Sequence, residues 1–202
     1  MRLNSKTAIV TGGASGFGAG IVDTFIAEGA RVVIGDINQG AAEEKAEALG
    51  QNAYAVPVDV ADGDSVAGFV RAAQAVLGTV DIVVNNAGIG HVPQPMEEVE
   101  EDLFTRLIEV NTKSIYLMAK HLVPAMKQAG GGAILNMAST AGVSPRPNLT
   151  WYNATKGWVI TATKSMAVEL APHGIRVNAL NPVAGETPLL ATFMGEDTPD
   201  VR

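Results

Sequence analysis

Short apolar segments alternate with helical segments along the whole chain, and this alternation restricts the possible folds more than any other feature. The apolar segments are rich in β-branched residues and end in turn residues, as strands do; they span 8–10, 31–35, 53–58, 81–84, 133–137 and 175–180. The helical segments between them span 17–28, 39–49, 65–77, 98–127 and 151–170. Such alternation is typical of parallel βαβ units, whose buried strands read as continuous apolar runs. We therefore predict an α/β fold with a doubly wound parallel sheet in three αβα layers.

The composition excludes several classes of protein. The chain has 202 residues, and no change of composition marks a second domain, so we expect one domain over residues 1–202. The net charge of −7 argues against nucleic acid as a partner. There is no cysteine, and the three histidines lack the spacing of metal ligands, so we expect no metal site. No apolar run reaches the roughly 20 residues that cross a bilayer, and no signal-peptide pattern opens the chain. We expect a cytoplasmic protein without membrane contact.

A glycine cluster follows the first strand and opens the first helix. It reads Thr11-Gly-Gly-Ala-Ser-Gly-Phe-Gly18, with the spacing G-x-x-x-G-x-G. Glycines let the backbone approach a pyrophosphate closely, and the helix N-terminus offers free N–H groups to it. The alternative is a βα turn without a ligand. The candidate dinucleotide-binding residues of this cluster are Gly12, Ser15, Gly16, Phe17 and Gly18.

Asp36 ends the second strand and indicates which dinucleotide would bind. A carboxylate there accepts hydrogen bonds from both hydroxyls of an adenosine ribose and repels a 2′-phosphate. No basic residue follows it directly, which favours NAD over NADP. The alternative is that Asp36 caps the next helix. The ends of neighbouring strands supply further candidates for the adenine and ribose pocket, which could equally tie loops together: Asp59, Val60, Asn86, Ala87 and Gly88.

Tyr152 and Lys156 are four residues apart in a helical segment and therefore share one face. An ammonium one turn away favours the phenolate and would lower the tyrosine pKa towards neutral pH, as acid–base catalysis requires. Ser139 ends the fifth strand, where ligands bind in open α/β sheets, so two hydroxyls could converge on one substrate oxygen. The alternatives are an exposed helical pair for Tyr152 and Lys156, and a helix cap for Ser139.

Together these motifs resemble the short-chain dehydrogenase/reductase superfamily, over essentially the whole chain. The resemblance implies a Rossmann-type fold and a catalytic tetrad of Asn111, Ser139, Tyr152 and Lys156. Tyr152 would exchange a proton with the substrate oxygen, Ser139 would steady that oxygen, Lys156 would hold the nicotinamide ribose, and Asn111 would position a relay water. The local sequence alone would make Asn111 a residue that satisfies a helix kink. The resemblance also adds Pro182 and Thr187 to the candidate cofactor contacts, although the family usually has Pro-Gly here and this chain reads Asn181-Pro-Val-Ala-Gly185.

The resemblance favours an NAD(H)-dependent dehydrogenase that interconverts a small secondary alcohol and a ketone, in a homodimer or homotetramer. Two alternatives are a 3-oxoacyl-carrier-protein reductase, which would use NADPH, and a non-catalytic NAD-binding or scaffold protein. We expect the substrate pocket to include Arg146, which either meets a carboxylate or lies in solvent, and six other residues: His91, Val92, Pro93, Pro145, Trp151 and Val183. The family's last helices and seventh strand have no counterpart before Arg202, so we expect the chain to be C-terminally incomplete relative to the family.

Overall fold

The fold is a six-stranded, fully parallel sheet with helices on both faces. A computed structural model describes residues 1–195. The strands lie in the order β3-β2-β1-β4-β5-β6, which is the doubly wound arrangement that the sequence predicted. Their bounds are β1 Thr7–Thr11, β2 Arg31–Asp36, β3 Ala53–Pro57, β4 Ile82–Asn85, β5 Gly132–Met137 and β6 Ile175–Leu180.

Seven α-helices connect or follow these strands in the described part of the chain. They are α1 Gly16–Ala27, α2 Gln39–Leu49, α3 Gly63–Leu77, α4 Glu101–Ile108, α5 Ser114–Gln128, α6 Thr150–Leu170 and α7 Pro188–Met194. The single long helix expected over 98–127 is wrong in detail. A 3₁₀ turn covers Met96–Glu98, and a π-helical turn over Glu109–Lys113 separates α4 from α5. Helix α7 was not predicted.

The strand side chains alternate between two apolar cores, one on each face of the sheet. In β1, Ile9 packs with a core that includes Phe69 of α3 and Leu122 of α5. Its neighbour Val10 packs on the opposite face, in a core that includes Val22 of α1. All five residues of β1 are buried, as the continuous apolar run predicted for a central strand.

No helix within residues 1–195 is long and apolar enough to span a membrane. The same residues contain no group of three or more histidine, aspartate or glutamate side chains placed to hold a metal ion.

Candidate active site

One cavity of about 500 Å³ lies at the carboxyl ends of the strands, where a doubly wound sheet binds its ligands. It brings together nearly all of the residues that the sequence analysis selected. From that selection, the cavity is lined by Gly12, Ser15, Gly16, Phe17, Asp36, Asp59, Val60, Asn86, Ala87, Gly88, Ser139, Tyr152, Lys156, Pro182 and Thr187. Gly18 and Asn111 are buried and do not line it.

The glycine loop is held in a conformation that requires glycine. Gly12 has a φ of +62°, which residues with a Cβ rarely adopt. A Cβ on Gly18 would lie 2.0 Å from the Gly12 carbonyl oxygen, so only glycine lets α1 approach the loop this closely. Asn86 fastens the loop from β4, because its Nδ2 donates to the carbonyl oxygens of Thr11 at 3.0 Å and Gly12 at 2.9 Å. Asn86 therefore ties the loop and also lines the cavity.

Asp36 is fixed at the cavity by two backbone amides. Its Oδ2 accepts from the Ala14 amide at 3.0 Å, and its Oδ1 accepts from the Asn38 amide at 3.0 Å. Helix α2 is capped by Asn38, whose Oδ1 accepts from the Ala41 amide, so the alternative role of Asp36 as the helix cap is wrong. Each carboxylate oxygen keeps a lone pair for another donor, because an ionised carboxylate accepts about four hydrogen bonds.

Asp59 and Arg106 also line the cavity. The Arg106 guanidinium lies 3.5 Å from Asp59 Oδ2, and Asp59 Oδ1 accepts from the Ala61 amide at 2.9 Å. The sequence analysis missed Arg106, because the arginine follows Asp59 by 47 residues and comes from α4. A turn-forming glycine loop, a helix N-terminus and an anchored carboxylate together fit a dinucleotide.

Tyr152 is buried at the far end of the cavity, with 5% of its surface exposed. Burial raises the pKa of its hydroxyl, while a hydrogen bond with Ser139 and the positive charge of Arg146 act in the opposite direction. The lowered tyrosine pKa expected from the sequence is therefore wrong in direction. Ser139 Oγ also accepts from the Ala141 amide at 3.1 Å, so the capping role and the site position coexist.

Lys156 is a buried cation, 5% exposed, so the alternative of an exposed helical pair with Tyr152 is excluded. Its Nζ donates to the Met137 carbonyl at 2.9 Å and lies 5.8 Å from the centroid of the Tyr152 ring. Desolvation lowers the pKa of Lys156 to about 8. The hydrogen bond to Met137, the last residue of β5, therefore fixes the ammonium close to the Tyr152 ring.

Asn111 occupies the π-helical turn between α4 and α5, and its amide satisfies the neighbouring backbone. Oδ1 accepts from the Ile89 amide at 2.9 Å, while Nδ2 donates to the Ile89 carbonyl at 2.9 Å and to Thr155 Oγ1 at 3.1 Å. A Cβ added to Gly88 would be 3.3 Å from Asn111 Oδ1 and 3.4 Å from Lys156 Nζ, which places both groups against one glycine. Sequence reasoning missed Thr155.

The substrate-side prediction is only partly matched by the lining of the cavity. Arg146 and Val183 line it, whereas the other five expected residues do not. His91 is buried with Nδ1 2.8 Å from the Val92 carbonyl, and Trp151 Nε1 donates to the Met96 carbonyl at 3.0 Å. Phe193 of α7 was missed; its ring lies 4.9 Å from the Tyr152 ring, centroid to centroid.

Comparison with known proteins places this geometry in a family. The family model described as short chain dehydrogenase matches residues 6–197. A 4-formylbenzenesulfonate dehydrogenase from Comamonas testosteroni is 47% identical, over 100% of this chain and 82% of that protein. A cis-4-hydroxycyclohexanecarboxylate dehydrogenase from Sinomonas cyclohexanicum is 41% identical, over 92% of this chain and 76% of that protein.

A solved structure is similar over the same region. It is a 3-ketoacyl-(acyl-carrier-protein) reductase from Brucella melitensis complexed with NADH, with a TM-score of 0.94 and 52% identity, covering 95% of this chain and 80% of that one. The relatives are named dehydrogenases and reductases, and the match extends from β1 past the end of α7. The resemblance seen in the sequence is confirmed, and the chain belongs to the short-chain dehydrogenase family of oxidoreductases.

Proposed function

We propose that this protein is an NAD(H)-dependent dehydrogenase that interconverts a secondary alcohol and a ketone, with Tyr152 as the acid–base residue. One observation carries the proposal: the buried Tyr152 hydroxyl, with Ser139 and Lys156 beside it, lies in the same cavity as the glycine loop and Asp36. A proton-exchanging group and a dinucleotide site in one cavity are what hydride transfer between an alcohol and a nicotinamide requires.

Short-chain dehydrogenases bind a nicotinamide cofactor, and the chain offers a place for each part of it. The glycine loop and the N-terminus of α1 suit the pyrophosphate, Asp36 the adenosine ribose, and Lys156 the nicotinamide ribose. When bound, the nicotinamide supplies or accepts the hydride. The preference for NAD rests on Asp36: a 2′-phosphate would add negative charge beside a carboxylate that two amides hold in place.

The residues around the substrate oxygen divide the remaining work. In reduction, Tyr152 donates its phenolic proton to the carbonyl oxygen; in oxidation, the phenolate takes the proton from the alcohol. Ser139 donates a hydrogen bond to the same oxygen and stabilises its developing charge. The Lys156 ammonium lies 5.8 Å from the centroid of the Tyr152 ring, where its positive charge stabilises the phenolate that forms. Asn111, the fourth member of the proposed tetrad, donates hydrogen bonds to the Ile89 carbonyl and to Thr155 Oγ1 and so links these two segments.

Removing the phenolic oxygen tests this proposal. Tyr152→Phe keeps the ring packed on Phe193 but removes the proton donor, so we expect turnover of a secondary alcohol panel to fall at least a thousandfold. NADH affinity, measured by fluorescence titration, should change less than threefold. A variant that retains wild-type turnover would overturn the assignment of Tyr152.

A 3-oxoacyl-carrier-protein reductase is the second candidate, because the 52% identical structure carries that name. Turnover of a 3-oxoacyl thioester in preference to small alcohols would favour it. Selective use of NADH with small alcohols would favour the first proposal. Family membership argues against the non-catalytic alternative.

The expected homodimer or homotetramer stays a prediction that sedimentation velocity can test. It is supported by aromatic side chains left exposed on helices α5 and α6, Tyr116 and Trp158.

A further inference from the structure

Arg146 lines the cavity and lies in the loop between β5 and α6. The loop is anchored at this residue, because the Arg146 carbonyl accepts from Nδ2 of Asn153 at 2.7 Å, and Asn153 is buried directly after Tyr152 in α6. The side chain itself is exposed, and its Nη2 donates to the Val183 carbonyl at 3.3 Å. The guanidinium therefore bridges the two loops that border the cavity.

The positive charge of Arg146 has no carboxylate partner within residues 1–195. A guanidinium carries five N–H donors, and the bond to Val183 uses one of them. The other arginine of the cavity, Arg106, is paired with Asp59, and Lys156 is bonded to the Met137 carbonyl. Arg146 is also close enough to Tyr152 for its charge to act on the tyrosine pKa.

The cavity beside Tyr152 is lined by apolar side chains. Leu149 is buried against Tyr152, and the ring of Phe193 packs edge-on against the tyrosine. Leu189 and Leu190 of α7 also line the cavity. A ligand that fills this end would therefore place an apolar body against these side chains, with the tyrosine hydroxyl at one end and the arginine at the other.

We propose that Arg146 binds a carboxylate of the substrate, so that this enzyme acts on apolar secondary alcohols or ketones that carry a carboxylate away from the reacting carbon. The planar guanidinium forms two parallel hydrogen bonds to a carboxylate, which fixes the orientation of the ligand as well as its position. The inference rests on the proposed function for the position of the reacting carbon at Tyr152. It adds the class of substrate and the residue that selects it.

Matched substrates that differ only in charge test the proposal. The pairs are 4-hydroxycyclohexanecarboxylate with its carboxamide, and 3-hydroxybutanoate with its carboxamide, each assayed with NAD. We expect the carboxylate of at least one pair to have a kcat/KM about tenfold higher or more, since hydrogen bonds to charged groups discriminate to that extent. In Arg146→Ala the ratio of kcat/KM for the carboxylate to kcat/KM for the carboxamide should fall to about one. Arg146→Lys should retain part of the preference for the carboxylate. Added salt should reduce the preference, because Arg146 is exposed.

The control is Arg71→Ala, which removes the same charge from an exposed position of α3 outside the cavity. Its ratio should equal that of the unaltered protein. A ratio near one in the unaltered protein, or a ratio that Arg146→Ala leaves unchanged, would overturn the proposal.

Binding measured without turnover separates this inference from the proposed function. Calorimetric titration of Tyr152→Phe in saturating NAD should show the carboxylates binding about tenfold more tightly than the carboxamides, and Arg146→Ala in that background should abolish the difference. If this holds while no compound is turned over by the unaltered protein, the proposed function fails and the role of Arg146 stands. Equal binding, or no binding of either form, would overturn the role of Arg146.

Discussion

Lys156 is a buried cation, and desolvation of its charge should lower the free energy of unfolding. Its pKa is lowered to about 8 from 10.5, so between these pH values the unfolded chain binds a proton that the folded protein has lost. The free energy of unfolding should therefore rise with pH across this window, by up to about 3 kcal/mol from this one group. Below pH 8 both states are protonated and the cost of burial is fully present.

The comparison with Lys156→Met isolates this effect. Urea unfolding at pH 7.0 to 9.5 should show the unaltered protein gaining stability relative to the variant as the pH rises, and this range stays below the raised pKa of Tyr152. Lys164→Met, at an exposed position of the same helix, should show no such change. Parallel pH curves for the unaltered protein and Lys156→Met would contradict the assignment of a buried charge to Lys156.

The two catalytic candidates of α6 show which properties of a residue the sequence predicts. The spacing of Tyr152 and Lys156 placed them on one helix face, and both lie at the cavity. The direction of the tyrosine pKa shift was wrong, because burial raises the pKa of this hydroxyl and the spacing of the two residues does not show how deeply the tyrosine is buried. The Asn111 contacts with Ile89 and Thr155 join segments far apart in the chain, so local chemistry could not select them.

At the scale of elements, the contact between α1 and the glycine loop depends on one missing Cβ. In Gly18→Ala the new Cβ would lie 2.0 Å from the Gly12 carbonyl oxygen and 2.5 Å from Asn86 Nδ2, so α1 or the loop must move. We expect a loss of about 1–3 kcal/mol in the free energy of unfolding, and at least a tenfold loss of NADH affinity because the loop amides are displaced.

Gly20→Ala is the matched control in the same helix. A Cβ at Gly20 meets nothing within 4 Å, so alanine should stabilise the helix by roughly 0.5–1 kcal/mol and leave NADH binding unchanged. Urea unfolding and fluorescence titration of both variants measure the difference. If Gly18→Ala and Gly20→Ala had the same effect on stability and on NADH affinity, the close contact between Gly18 and the Gly12 carbonyl would not be what fixes the glycine loop.

The strands and most helices could be predicted because their signals are local. β6 and α2 begin and end at the predicted residues, since glycine or proline marks the flanking turns. The helix over 98–127 was predicted as continuous because its apolar positions continue through the π-helical turn at Asn111. The hydrogen bonds of the Asn111 side chain go to Ile89, which lies in another loop and is not adjacent in the sequence. Helix α7 has seven residues and no independent periodicity. Its place over the cavity depends on tertiary contacts such as Phe193 with Tyr152.

At the scale of the whole molecule, the cavity is assembled from segments that are distant in sequence. The glycine loop precedes α1, Asp36 ends β2, Asn86 follows β4, and Thr187 follows β6. A ligand that contacts all of them binds only the folded chain, so it should stabilise the molecule as a unit. At 100 times the dissociation constant, this linkage is worth about 2.7 kcal/mol.

The increase in Tm with each cofactor should therefore show whether the protein prefers NADH or NADPH, and the experiment needs no substrate. For a chain of this length, about 2.7 kcal/mol corresponds to an increase in Tm of roughly 5–10 °C with NADH. NADPH at the same concentration should raise the Tm by less than about 2 °C, because its 2′-phosphate would lie against Asp36, whose oxygens two amides already hold. Asp36→Ala should narrow the difference between the two cofactors, since it removes the repelling charge. Equal shifts in the unaltered protein, or a larger shift with NADPH, would mean that Asp36 does not select NAD.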